Sequence, residues 1–380
     1  MGRLPFLVNR VQFGPGPANV RWPDLVTRNL LNQIEPGFPS MLACFLEGPR
    51  RIVVREVPVP GLGEGDVLIR MGAGGICGTD LEKVEGQLGP GGILGHEVSG
   101  TVEKVSESVV EYGPGDRVVA HHHVPCYHCM YCLKGDPTMC SEFKAANFDP
   151  CGFAEYFRLP KFNVSRGGLV ALPKSLTFEE GAMIEPTACC IRALQKAQVH
   201  PDDNILVVGL GPTGLTHIQL VRRATRGQII GTDIVERRLR EGERIGADET
   251  IDPRSGELEH VVKKLTHEGV DLAIAATGNE KALDQAFASV RKGGKILLFG
   301  APAQGAAFHL NVSEMFARQI SVLSSYSCME SEMHEAIKLV RDRAIDLKGL
   351  ITDRFRVSQA DIALEHARTS STAIKTMIAS

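Results

Sequence analysis

The segment from residue 204 to residue 233 restricts the possible folds more than any other part of the sequence. An apolar run at residues 204–208 leads into Gly209-Leu210-Gly211-Pro212-Thr213-Gly214, and a helical period over residues 213–226 precedes a second apolar run at 228–232. In this context the G-x-G-x-x-G pattern predicts a nucleotide-binding βαβ unit. Strand and helix patterns alternate up to residue 323, so we expect an α/β fold with a doubly wound parallel sheet covered on both faces.

Each glycine of this loop has a physical role in binding a dinucleotide. Gly209 permits the tight turn, Gly211 lets a pyrophosphate approach the backbone, and Gly214 lets the helix pack on the sheet. Asp233 ends the next strand, where a carboxylate binds ribose hydroxyls and repels a 2′-phosphate, which favours NAD over NADP. An ordinary tight turn without a cofactor is the alternative. The predicted cofactor-binding residues are Gly209, Gly211, Pro212, Thr213, Gly214, Asp233, Arg238, Thr277 and Gly300.

The first half of the chain has a different pattern from the second. Residues 41–192 contain short β-branched runs separated by turn signals, which predict a small irregular barrel with long loops. We therefore expect a β-rich domain at 41–192, a nucleotide-binding domain at 193–325, and a tail at 326–380 that returns to the first domain. Residues 1–40 contain six prolines and keep no period, so we expect a poorly ordered extension.

Four cysteines crowd into fifteen residues, at Cys126, Cys129, Cys132 and Cys140. Four thiolates satisfy Zn²⁺ tetrahedrally and leave no open position, so we predict a structural zinc site. In an iron–sulfur motif of bacterial type the last gap is shorter and a proline follows, whereas Ser141 follows here. The neighbouring His121, His122, His123 and His128 are interpreted as surface or loop histidines.

Charge and hydropathy exclude two classes of protein. The chain has 42 Lys and Arg against 45 Asp and Glu, a formal net charge of −3, which argues against binding nucleic acid through phosphate contacts. No apolar run reaches the roughly 18 residues that cross a bilayer. Clustered cysteines in a large chain suit metal binding in a reducing compartment, so we expect a cytoplasmic protein.

Two short motifs carry a second set of metal-binding residue types. Cys77-Gly78-Thr79-Asp80 and Gly95-His96-Glu97 offer a thiolate, an imidazole and a carboxylate. Three such ligands leave one zinc position open for water or substrate. The spacing alone is weak support, because a lone cysteine is more often a small buried residue than a ligand.

Taken together, these motifs resemble those of the zinc-dependent medium-chain alcohol dehydrogenase family, in its polyol, sugar and threonine dehydrogenase branch. The resemblance covers residues 41–380 and follows the family's order. Besides the motifs already given, it rests on Gly113-Pro114-Gly115-Asp116-Arg117-Val118, Gly152-Phe153-Ala154-Glu155-Tyr156 and Glu185-Pro186.

The resemblance implies a GroES-like catalytic domain and a Rossmann domain with the active site between them. It implies Cys77, His96 and Glu97 as ligands of a catalytic zinc, with Glu185 as a carboxylate that approaches or ligates the metal. It also implies that Thr79 relays the proton of the substrate alcohol. Two zincs per chain, a small-molecule alcohol as substrate, and a homodimer or homotetramer complete this expectation.

One departure from the family bears on the substrate. Threonine dehydrogenases carry a histidine three residues after the matching threonine, whereas this chain has Glu82. This favours a polyol or sugar over threonine, and we expect Glu82 to contact a substrate hydroxyl. A simple or primary alcohol dehydrogenase, and a catalytically inert NAD-binding relative, are the alternatives. Residues 143–148 and 324–328 are candidate pocket loops.

Overall fold

Two β-sheets of different construction organise the part of the chain that the computed structural model describes, which is residues 39–88, 92–307 and 311–380. The extension predicted at 1–40 lies outside the described residues except for its last two. The strands, in chain order, are β1 (Ser40–Gly48), β2 (Arg51–Pro58), β3 (Val67–Gly75), β4 (Glu97–Val105), β5 (Arg117–Ala120), β6 (Tyr156–Leu159), β7 (Leu169–Ala171), β8 (Ile205–Val208), β9 (Ile229–Thr232), β10 (Glu249–Ile251), β11 (Val270–Ala275), β12 (Val290–Leu298), β13 (Ser321–Ser324), β14 (Ile351–Arg356) and β15 (Lys375–Ala379).

Helices connect and flank these strands. They are α1 (Gly78–Val84), α2 (Met130–Leu133), α3 (Lys161–Val164), α4 (Phe178–Ala182), α5 (Ile184–Ala197), α6 (Pro212–Ala224), α7 (Glu236–Arg244), α8 (Leu258–Thr266), α9 (Glu280–Ser289), α10 (Val312–Arg318), α11 (Glu330–Arg341) and α12 (Ala360–Thr369). Short 3-10 turns lie at Pro137–Met139, Pro253–Ser255, Lys348–Leu350 and Val357–Gln359. No helix of the described residues is long and apolar enough to cross a membrane.

The β-rich sheet is built around β3. Its path runs β14-β15-β3-β4-β5-β7, with β6 also paired to β3, while β1 and β2 form a separate antiparallel hairpin. Strand β15, from the chain's end, pairs antiparallel with β3 and places Met377 opposite Gly75. Buried aromatic rings, among them Phe148, Phe153 and Phe157, fill one side of this sheet. The tail therefore completes a sheet that begins at residue 67.

The second sheet is parallel throughout, with the order β10-β9-β8-β11-β12-β13. All four residues of β8 are buried, as expected of a central strand covered by helices on both faces. From β8 the chain builds outward to one side through β9 and then to the other through β11. Ligands bind at such a switch point, beyond the carboxyl ends of the strands, and the glycine loop follows β8 there.

The α/β fold class predicted from the sequence is confirmed, while several details differ. Strand β12 begins at Val290, earlier than the apolar run at 295–299 indicated. The mixed tail contains α12 and two strands that carry no clear period. The domain boundary expected between residues 192 and 193 falls inside α5, because this helix is buried in a core that includes both Val119 of β5 and Ile205 of β8. The division into domains stays a prediction.

Candidate functional site

Strand pairing brings the first metal-ligand set together. Gly75, at the end of β3, lies opposite Glu97, at the start of β4. Cys77 follows Gly75 by two residues and is the N-cap of α1, so its thiol falls beside His96 and Glu97. The ligand atoms of Cys77, His96 and Glu97 all lie within 4.8 Å of one another. Thiolate, imidazole and carboxylate are the donors that Zn²⁺ takes, and three of them leave a coordination position open.

Asp80 holds this set in place from behind. Its carboxylate is fully buried and accepts the N–H groups of Cys77 and Gly95, each at 3.1 Å. It also lies 3.5 Å from Nδ1 of His96. Burial opposes ionisation of Asp80, but the adjacent His96 imidazole lowers the pKa of the carboxyl to about 2. A carboxylate behind a histidine orients the ring and leaves its other nitrogen free for a metal.

Sequence reasoning missed Lys375, which also belongs to this site. Its side chain, only 2% exposed, pairs with the carboxylate of Glu97 and donates to the carbonyl of Ile76 at 2.9 Å. A Cβ at Gly75 would overlap both side chains of the pair. The residue comes from β15, 278 positions beyond Glu97. Its only signal is a single lysine within an apolar strand pattern.

Thr79 and Glu82 lie on α1, next to Cys77. The hydroxyl of Thr79 is 3.6 Å from the Cys77 sulfur and half-buried. One carboxylate oxygen of Glu82, Oε2, is buried and has no hydrogen-bond partner among the described residues. Burial raises the pKa of Glu82. An unpaired buried oxygen of this kind is available to a substrate hydroxyl.

Glu185 lies beside the first set. It occupies the first turn of α5, is 5% exposed, and accepts the thiol of Cys189 at 3.5 Å. Burial, with a smaller contribution from the charge of Glu97, raises the pKa of Glu185 to about 7. One carboxylate oxygen of Glu185 lies within 4.8 Å of a ring nitrogen of His121 and of the sulfur of Cys328. Direct ligation of the first metal by Glu185 stays a prediction.

The histidine run lies in the loop after β5, as interpreted from the sequence, but His121 is buried and His122 and His123 are half-buried rather than on the surface. His121 is 1% exposed, and the rings of His122 and His123 lie with their centroids 3.7 Å apart. The His122 ring centroid is 5.0 Å from that of His96. Burial lowers the pKa of His121 to about 4 and that of His123 to about 3. The run follows β5, which leads towards the site, whereas His128 is exposed.

The four-cysteine loop closes on itself. The sulfurs of Cys126, Cys129, Cys132 and Cys140 all lie within 4.8 Å of one another, with 3.5 Å between Cys129 and Cys132. Zn–S bonds of about 2.3 Å in a tetrahedron put sulfurs about 3.8 Å apart, so the set fits zinc. Backbone N–H groups also point at the sulfurs, as from Cys129 to Cys126 at 3.3 Å. A hydrogen bond at Cys132 helps lower the pKa of Cys129 to about 7.

The glycine loop has the backbone that phosphate binding needs. Gly209 has φ of +90°, which favours glycine, and a Cβ at Gly214 would overlap the Gly209 carbonyl oxygen. Gly211 is the N-cap of α6, Pro212 and Thr213 are its first residues, and a Cβ at Gly211 would meet nothing within 4 Å. This opening lies at a helix N-terminus, where phosphate is stabilised.

The remaining predicted cofactor residues surround this loop. Asp233 is 8% exposed and accepts N–H groups from Leu210 at 2.8 Å and Val235 at 2.9 Å. A Cβ at Gly209 would stand 3.1 Å from the Thr277 side chain, and one at Gly300 would overlap the Thr277 backbone. The ends of β8, β9, β11 and β12 therefore converge on one opening.

Known proteins resemble this chain over most of its length. The model of the zinc-binding dehydrogenase family matches residues 212–342, and that of the alcohol dehydrogenase GroES-like domain matches 63–171. Sorbitol dehydrogenase of Bacillus subtilis (strain 168) is 32% identical over 337 residues, covering 86% of this chain and 94% of its own. L-idonate 5-dehydrogenase of Vitis vinifera is 29% identical over 357 residues, covering 88% and 94%.

Solved structures show the same fold. An alcohol dehydrogenase from Thermus sp. ATN1 superposes with a TM-score of 0.80 and 26% identity, over 89% of this chain and 99% of that one. A protein of Sinorhizobium meliloti 1021, described as a zinc-binding dehydrogenase bound to NADP, has a TM-score of 0.80 and 26% identity, over 90% and 100%.

Proposed function

This chain belongs to the zinc-dependent medium-chain alcohol dehydrogenase family, and we propose that it transfers a hydride from a secondary alcohol of a polyol or sugar-like compound to NAD. The observation that carries the proposal is the meeting of Cys77, His96 and Glu97 beside α5, the helix that also reaches the glycine loop. On α5, the sulfur of Cys190 lies 3.7 Å from the carbonyl of Thr213.

The donor set of the first site suits a catalytic zinc. The Cys77 thiolate and the Glu97 carboxylate, which Lys375 also contacts, offset the charge of a divalent ion in part, and Asp80 lies behind His96. A zinc bound there supplies a Lewis acid that lowers the pKa of a substrate hydroxyl. The Thr79 hydroxyl lies at 3.6 Å from the Cys77 sulfur, where it accepts the alcohol proton and passes it towards solvent. With the four-cysteine loop, this gives two zincs per chain.

The surroundings of Asp233 support NAD over NADP. Asp233 directly follows β9, and a carboxylate at the end of the second strand of such a βαβ unit binds ribose hydroxyls. Arg238 lies 3.7 Å from Asp233 and also donates to the carbonyl of Ala373 at 3.1 Å. Arg237 donates to the carbonyl of Thr372 at 3.1 Å. Each guanidinium group therefore has a carbonyl acceptor of the protein near it.

The substrate class is supported by Glu82 and by the relatives. Glu82 has an unpaired oxygen and lies three residues after Thr79, on the same face of α1. A carboxylate is a good acceptor for the neighbouring hydroxyls of a polyol. The relatives are named for sorbitol, L-idonate and D-xylulose. We rank threonine and simple primary alcohols lower, and the intact ligand set argues against a catalytically inert relative.

Association into a homo-oligomer belongs to the same proposal. Strand β13 is an edge of the parallel sheet, with no outer strand among the described residues. Phe316 on the neighbouring α10 is 84% exposed. An open edge beside an exposed ring is a pairing surface for a second copy. Light scattering should show a dimer or tetramer, and a monomer at all concentrations would contradict this part of the proposal.

A substrate screen tests the proposed activity. Reduction of NAD⁺ is followed with polyols, cyclitols, aldoses, threonine and simple alcohols, with NADP⁺ measured in parallel. We expect the highest kcat/KM with a polyol or sugar and NAD⁺. Higher kcat/KM with NADP⁺ would overturn the interpretation of Asp233, and higher kcat/KM with threonine or a primary alcohol would overturn the substrate class. No reduction with any alcohol by zinc-loaded protein would overturn the activity itself.

A further inference from the structure

A second set of metal-ligand side chains lies next to the first. We propose that His121, Glu185 and Cys328 bind a further divalent ion, of which Zn²⁺ is the best match to the donors. This ion is additional to the zinc at Cys77, His96 and Glu97 and to the zinc in the four-cysteine loop. The proposal concerns metal content and does not depend on which substrate the protein oxidises.

The distances within this set suit a bound ion. One ligand atom from each residue lies within 4.8 Å of the other two. The sulfur of Cys328 is 3.7 Å from Nε2 of His121. Zn–S bonds of about 2.3 Å and Zn–N bonds of about 2.1 Å place these two atoms about 3.6 Å apart in a tetrahedron. The two atoms are therefore separated as they would be around a common ion.

The three donors are buried, so leaving them without a partner costs free energy. Glu185 is 5% exposed, His121 is 1% exposed and Cys328 is 0% exposed. No lysine or arginine forms an ion pair with Glu185 among the described residues. A buried carboxylate or thiolate stays ionised only beside a compensating positive charge. One divalent ion would balance the two negative charges of an ionised Glu185 and Cys328, for which no ion pair with a lysine or arginine stands in within the described part of the chain.

Three rigid elements fix the positions of the donors. His121 directly follows β5, Glu185 lies in the first turn of α5, and Cys328 immediately precedes Met329, the N-cap of α11. Residues of β5, α5 and α11 share one buried core. Because the donors are held by packed elements, the site is largely formed before the ion binds, which lowers the cost of ordering it.

Cys189 adjoins this set and offers a fourth donor. It lies one helical turn after Glu185 on α5, so both side chains are on the same face. Its thiol donates to Glu185 at 3.5 Å, and it also contacts the thiol of Cys328. Cysteine and histidine donors select Zn²⁺ over Mg²⁺ or Ca²⁺. The competing chemistry of the same two thiols is a Cys189–Cys328 disulfide.

Metal counting tests the proposal. Protein saturated with Zn²⁺ and dialysed is analysed for zinc per chain by mass spectrometry, for the wild type and for Cys328→Ala, Cys77→Ala and the double variant. We expect three, two, two and one ions per chain. Cys44→Ala is the matched control, because Cys44 is also 0% exposed but lies in β1 outside every ligand set, and it should keep three.

Cobalt substitution gives a second readout that does not require turnover. Thiolate-to-Co²⁺ absorption should fall in Cys328→Ala and His121→Gln relative to Cys44→Ala, with circular dichroism confirming that each variant folds. Equal zinc content in the wild type and Cys328→Ala would overturn the proposal. So would a Cys189–Cys328 crosslinked peptide in a non-reducing digest of the purified protein. If Cys328→Ala fails to fold, a wild-type count of two rather than three contradicts the proposal by itself.

Discussion

The four-cysteine loop and the Cys77–His96–Glu97 set are both metal-ligand clusters, but the chain builds them in opposite ways. The first draws four thiols from one loop, enough to fill every position of a tetrahedral zinc. The second is assembled by the pairing of β3 with β4, and is completed by Lys375 from the far end of the chain. Four donors from one loop are enough to surround a zinc, whereas three donors brought together by a sheet would leave one position open.

The largest expected contrast lies in what each metal does. Cys77→Ser should lower kcat/KM by on the order of 10³-fold or more. The substitution removes a proposed zinc ligand, and with it the positive charge of the metal that would stabilise the transition state. The fold and NAD binding should remain, as measured by circular dichroism and nucleotide fluorescence. Cys126→Ser should instead lower the Tm while the folded fraction keeps its kcat. If the two variants exchanged these phenotypes, the assignment of catalytic and structural sites would be reversed.

Lys375 sharpens the comparison, since the four-cysteine loop has no such partner among the described residues. In zinc-depleted protein, Lys375→Met leaves the Glu97 carboxylate buried and unpaired, which should lower the free energy of unfolding by about 3–5 kcal/mol. Zinc should restore part of this loss, because the ion also compensates Glu97.

Lys295→Met is the control for this measurement in urea. Lys295 donates to the backbone carbonyl of Ala197 at 2.7 Å and has no carboxylate partner among the described residues. Lys295→Met should lower the free energy of unfolding by less than Lys375→Met does, and this loss should be the same with and without zinc. Equal losses from the two lysine variants would show that the Glu97–Lys375 pair has no special role.

Acid affects both metal sites, so pH alone does not compare them. One contribution to the pH dependence of stability does not involve a metal. It comes from His217 on helix α6, where burial lowers the pKa of the imidazole to about 4. Because this lies below the unfolded value of about 6.5, the unfolded state takes up the proton first. The contribution of His217 is complete above about pH 6.5 and is lost as the pH falls to about 4, a loss of about 3 kcal/mol.

His217→Gln should remove that loss. The free energy of unfolding in urea is measured for both proteins between pH 7 and pH 4. The difference between the two proteins in how steeply this free energy falls with pH gives the contribution of His217. Parallel curves for the wild type and the variant would show that the buried imidazole does not control acid stability.

The smallest expected effect comes from Asp80, which supports the ligand His96 without being a ligand itself. Asp80→Asn keeps the shape of the side chain but weakens its hold on His96, which should lower zinc affinity about 10–100-fold at the first site. Asp116→Asn is the matched control, because Asp116 accepts the N–H of Gly113 at 2.8 Å in a loop outside both sets. Zinc titration with a chromophoric chelator measures both. An unchanged affinity in Asp80→Asn would remove Asp80 from the site.

Features that depend on a short stretch of chain could be predicted from the sequence. The glycine loop, the alternation of strands and helices after residue 204, and the spacing of Cys126 to Cys140 each restrict the backbone locally. Family resemblance then supplied Cys77, His96 and Glu97, which the register of β3 and β4 brings together. In these cases the residues that matter lie on adjacent turns or directly paired strands.

Features that depend on distant pairing could not be predicted in the same way. Nothing in the apolar pattern of β15 says that it pairs with β3, so Lys375 could not be placed beside Glu97. The burial of His121 depends on its packing against Phe143, with ring centroids 6.4 Å apart, and on Cys328 from another loop. Hydrophobic period identifies a strand or helix but does not name the partner that covers it.

Anomalous scattering at the zinc edge, from crystals grown with zinc and NAD, tests the central claim most directly. The account predicts one peak among Cys126, Cys129, Cys132 and Cys140, and another bonded to Cys77, His96 and Glu97 on the side that faces the nicotinamide ring. A zinc-saturated crystal with the first peak but no density at Cys77, or with a metal there that the nucleotide cannot approach, would contradict it.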